Sequence, residues 1–65
     1  MNNFIEIYAS NQNRDVLVNL NHVTSITVLY LPQKEEYWVN LVGDEAYRID
    51  REQYKEIKAK LIDNG

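Results

Sequence analysis

His22 is the single histidine of this 65-residue chain and cysteine is absent, so few side chains could do nucleophilic or metal chemistry. A Ser–His or Cys–His nucleophile needs a base held against it and a third group orienting that base. Ser25 and Asp44 are the residues His22 would have to recruit. A lone histidine at a strand-to-strand corner is instead expected to be structural. Metal centres combine several His, Cys or carboxylate ligands at recurrent spacings, and no such spacing occurs here. Two acidic pairs, Glu35-Glu36 and Asp44-Glu45, have the residue type for general acid–base work. Both fall in expected turns, and a general acid needs a desolvated pocket that so short a chain hardly encloses. Gly43 and Gly65 stand isolated, so there is no glycine-rich loop to cradle a phosphate. The expectation is a non-enzymatic protein with no catalytic residue, metal site or cofactor.

The aromatic side chains, Phe4, Tyr8, Tyr30, Tyr37, Trp38, Tyr47 and Tyr54, are more informative. Stacking nucleic-acid bases on a sheet needs aromatics interleaved with basic residues. Here Tyr37 and Trp38 follow Glu35-Glu36, so the rings are expected in a core or an interface. Ten acidic residues against 7 basic ones leave a formal charge of -3, which offers no positive field to a phosphate backbone. Nucleic acid is therefore disfavoured as a partner. The longest apolar runs are only a few residues, and the opening MNNFIEIYAS lacks the basic and apolar segments of a secretory signal. A cytosolic protein with no membrane partner is expected, and the absence of cysteine fits a reducing compartment.

The elements that would position these residues follow from period and punctuation. Phe4 to Ala9 alternates, with Ile5, Ile7 and Ala9 on one side, and reads as a strand. Ser10 to Arg14 has turn composition, Val16 to Leu20 reads as a second strand, and Asn21-His22 interrupts the apolar pattern. A third strand covers Thr24 to Leu31. Pro32 to Glu36 is expected to end it, because proline donates nothing to a ladder and charged residues prefer water. Tyr37 to Val42 and Ala46 to Ile49 follow as strands, separated by a turn at Gly43-Asp44-Glu45. The period then lengthens: Tyr54, Ile57 and Leu61 recur at i, i+3 and i+7 behind an Asp50 N-cap with Gln53 as capping-box partner. The spacing predicts an amphipathic helix over about 51–62, supported by a Glu56–Lys60 pair and stopped at Asn64-Gly65. The expected fold is one α+β domain over residues 1–65. It is an antiparallel β-meander of about five strands with a C-terminal helix packed on one face.

Two segments, Asn13-Arg14-Asp15-Val16-Leu17-Val18-Asn19-Leu20 and Ile49-Asp50-Arg51-Glu52-Gln53-Tyr54, resemble the C-terminal half of LytTR DNA-binding domains. That resemblance implies DNA-contacting roles for Arg14 and Arg51. The sequence departs from the family at Asn13, Asp15 and Glu52, and Asp15 beside Arg14 repels phosphate. In whole-chain layout the sequence is similar to the short FlbD-like and phage-encoded bacterial proteins. These imply a binding role, such as that of an inhibitor or regulator, without naming a partner.

Domains of this size bury only about 60% of the surface their unfolded chains expose, and without disulfides oligomerisation is the natural supplement. Strands 3 and 4 also carry apolar residues on both sides: Ile26, Val28 and Tyr30 against Leu29 and Leu31, and Tyr37, Val39 and Leu41 against Trp38 and Val42. One helix covers one face. A homo-oligomer, with a dimer first, is expected, or else a heterologous protein or small ligand on the second face. Tyr30, Tyr37, Trp38, Val42, Arg14 and Arg51 are the candidate interaction residues.

Overall fold

The computed structural model describes residues 3–63. Along the chain these form β1 (Phe4–Ala9), β2 (Arg14–Asn19), a single 3-10 turn η1 (Leu20–His22), β3 (Val23–Leu31), β4 (Lys34–Leu41), β5 (Glu45–Ile49) and α1 (Arg51–Asp63). Five antiparallel strands followed by one helix is the expected α+β layout. The stop signal read at Asn64-Gly65 lies outside the described residues.

The meander is divided in two. β1 and β2 form one sheet, β3, β4 and β5 the other. The division falls at η1, where the Asn19 side chain accepts from the Asn21 amide (2.9 Å) and turns Leu20 inward. The two sheets meet at the first turn. Ser10 N–H donates to the Arg48 carbonyl (2.8 Å), and the Asn11 side chain accepts from Arg48 N–H (3.0 Å) while donating to the Ala46 carbonyl (3.2 Å). Asn11 thereby occupies hydrogen-bonding positions along β5 that a further strand would otherwise fill. The turn itself needs Asn13 in the left-handed region (φ 55°), which asparagine tolerates.

Two strand boundaries differ from the sequence reading by more than one residue. β2 begins at Arg14 rather than Val16, and β4 begins at Lys34 rather than Tyr37. Leu31 pairs with Lys34, so Pro32-Gln33 alone makes the β3–β4 turn. Lys34, Glu35 and Glu36 fit a strand because this part of the hairpin runs past β5, whose pairing with β4 stops at Tyr37↔Ile49. Charged side chains there reach water from within the ladder.

The core follows from alternation. Ile5, Ile7 and Ala9 of β1 and Val18 of β2 are buried against Val39, Tyr47 and Ile49 of the larger sheet, with Ile57 of α1 fully enclosed. Tyr54 and Leu61 pack at its margin. The helix therefore covers the Tyr37, Val39 and Leu41 side of β4, and the β1–β2 hairpin shares that side. Asp50 caps α1 through Gln53 N–H (2.8 Å). The reciprocal half of the capping box is replaced, since Gln53 Oε1 accepts from Tyr8 N–H (3.4 Å). The anticipated Glu56–Lys60 ion pair is not among the salt bridges of the described residues.

Candidate interaction surfaces

Period-two alternation sends Glu35 and Glu36 to opposite sides of β4, so this acidic pair serves two surfaces rather than one site. On the helix side, Tyr37 sits half-buried with its ring against Tyr54 (centroids 5.1 Å apart, tilted 50°). Its hydroxyl donates to the Glu35 carboxylate. That bond, with burial and the negative charge of Glu35, pushes the tyrosine pKa up against an opposing pull from Arg51. Between β3 and α1 lies an open groove of about 340 Å³ where Tyr30, Tyr37 and Tyr54 meet Arg51, Lys55 and Lys58. At Glu35, Tyr37 and Arg51 it runs into a second depression of about 410 Å³, bordered by Tyr8, Ser10 and Asp50.

On the opposite side, Glu36 accepts from Trp38 Nε1 (3.4 Å) and pairs with Lys34 Nζ (3.5 Å) and Arg48 Nη2 (3.6 Å). The Trp38 hydrogen bond first, then Arg48 and Lys34, hold its carboxyl below the usual range against some desolvation. Thr27 and Arg48 flank Trp38 across the ladder, and Asn40 Nδ2 donates to Ser25 Oγ (3.1 Å) and Thr27 Oγ1 (2.9 Å). Leu29 and Leu31 extend this face outward, 44% and 40% exposed. The face is thus an apolar strip beside an ion cluster.

Of the candidate residues, Tyr30, Tyr37 and Arg51 come together in the groove, and Trp38 stands on the other face. Val42 is exposed in the β4–β5 turn, where its N–H donates to the His22 carbonyl (2.9 Å). Arg14 donates from Nε to Gln12 (2.7 Å), it borders neither of the two depressions that Arg51 lines, and no hydrogen bond joins the two arginines among the described residues. His22 is exposed in η1, and no hydrogen bond links it to Ser25 or Asp44 among the described residues. No group of three or more His, Cys, Asp or Glu able to hold a metal ion occurs among the described residues. None of their helices is long and apolar enough to cross a membrane.

Lys55 and Lys58 were missed by sequence reasoning. Their spacing from Arg51, four and seven residues on, places all three on one helix face, and only the packing of α1 beside β3 makes that face part of a groove. No protein-family model, curated protein or solved structure matches the chain.

Proposed function

We propose that this protein is a non-enzymatic interaction module that self-associates as a dimer and acts on a protein partner by occupancy, as an inhibitor or regulator does. The observation that supports this is the outer β3–β4 ribbon. Beyond Tyr37 it has no third strand, yet it displays Leu29 and Leu31 alongside Trp38 on a side that neither the helix nor the β1–β2 hairpin covers. Two-stranded ribbons are marginal in water, and contiguous exposed apolar surface marks contact sites. Two copies joined by a two-fold axis across this face would bury both strips, with Lys34, Glu36 and Arg48 at the rim. Light scattering after size exclusion tests the reading: dimer mass at high micromolar concentration is expected, and Leu29→Lys with Leu31→Glu should return the chain to monomer mass. A parent chain that stays monomeric there removes self-association.

A further inference from the structure

The groove between β3 and α1 has a chemistry of its own, on the side away from the Trp38 face. Arg51, Lys55 and Lys58 border it, and none has a carboxylate within salt-bridge distance among the described residues. Its one carboxylate, Glu35, already accepts from the Tyr37 hydroxyl. Three of the 7 basic residues of a chain with net charge -3 are therefore gathered at one place against a single carboxylate, an excess of positive charge in the groove. Beneath them lie Val28 and the tyrosine rings, Tyr30 being 77% exposed. The groove's other wall, β3, is an edge strand that among the described residues pairs with β4 alone. Its nine residues include no charged side chain and no proline, two of the devices that guard a free edge, and its register irregularity lies between Val23 and Ser25, at the end of the strand away from the groove.

We propose that this groove docks an extended acidic segment of a partner protein. The segment's main chain adds as a strand to the free edge of β3, its carboxylates meet Arg51, Lys55 and Lys58, and an apolar side chain between them rests on the tyrosines. Strand addition draws affinity from main-chain hydrogen bonds and specificity from pockets for alternate side chains. Both parts are present along one strand. Single-stranded nucleic acid fits less well: it has no amides to pair with a strand edge, and three cations neutralise few phosphates. The inference rests on reading the chain as an interaction protein, and it is independent of the dimer face.

Fluorescence anisotropy of the full chain with a labelled peptide of about ten residues alternating glutamate with valine and tyrosine tests it, against the same peptide with lysine for glutamate and against oligothymidine. The acidic peptide should bind and weaken as salt rises. Lys55→Glu with Lys58→Glu, two exposed positions whose folding circular dichroism can verify, should cost about tenfold or more in affinity. Hydrogen exchange on the unsubstituted chain should slow along β3 when the peptide is added. Equal affinity for the lysine peptide, an unchanged affinity in the double variant, or unaltered exchange in β3 overturns the proposal. Tighter binding of oligothymidine than of the acidic peptide reassigns the groove to nucleic acid. Light scattering on the same samples keeps the two readings apart: a monomer that binds the peptide loses only self-association, and a dimer that ignores it loses only the groove.

Discussion

Glu36 shows how much one side chain organises when strand geometry aims it at three donors. Its carboxyl is held below the ordinary value of 4.5, chiefly by Trp38 and then by Arg48 and Lys34. A carboxylate whose pKa is depressed by folding adds stability that is fully present above the unfolded value and is lost as pH falls through the folded one. Acid melts of the parent should therefore fall more steeply below about pH 4.5 than those of Glu36→Gln. Identical acid slopes would show that the three donors do not act on this carboxyl. Asn11 carries a second test. Its amide bonds both Arg48 N–H and the Ala46 carbonyl, so Asn11→Ala should cost about 1 kcal/mol in chemical denaturation. Asn11→Asp, which keeps the acceptor and loses the donor, should fall between. In the sequence Glu36 read as half of a solvated acidic pair and Asn11 as turn composition. Residue type told that both sit near water, but partners 12 and 37 residues away, at Arg48, depend on tertiary approach that no local pattern encodes.

Among elements, α1 was the most legible, because a period of nearly four and a capping aspartate are both local signals. The β4 start was the least, because three consecutive charges outweigh strand propensity unless one knows that both faces of the ribbon reach solvent there. The helix also bears most directly on folding. Ile57 is fully buried, and placing a carboxylate there leaves a charge without a partner in the core. A domain of this size has only about 3–5 kcal/mol in hand. Ile57→Asp should abolish the cooperative melt, whereas Leu61→Ala, at a half-buried site, should lower the midpoint and keep the transition. Asp50→Ala, which removes the acceptor for Gln53 N–H, should cost about 1 kcal/mol. A melt of Ile57→Asp close to the parent's would mean that α1 does not anchor the fold.

At the scale of the molecule, the decisive feature is its unevenness. The body measures 40 × 24 × 21 Å, and its core joins β1, β2, the inner parts of β4 and β5, and α1, leaving the outer β3–β4 ribbon as a two-stranded projection. Alternation revealed that strands 3 and 4 have two apolar faces, and the structure settles that the helix takes the Val39 side. It also tempers the other side, where Glu36, Arg48, Asn40 and Thr27 interleave polar contacts with Trp38. A dimer face of this mixed kind should bind by a small apolar strip with a polar rim, giving association of moderate strength rather than an inseparable pair. Moderate association has a thermodynamic signature. Mass action stabilises the folded state in proportion to the logarithm of subunit concentration, so the Tm of the parent should climb as the chain is concentrated from low to high micromolar. Leu29→Lys with Leu31→Glu removes the strip without touching a buried residue, so its Tm should be flat across the same range and match the parent's at high dilution. If instead the variant keeps the parent's concentration dependence, the copies meet elsewhere, and Trp38 with its two leucines is left as a face for a different protein.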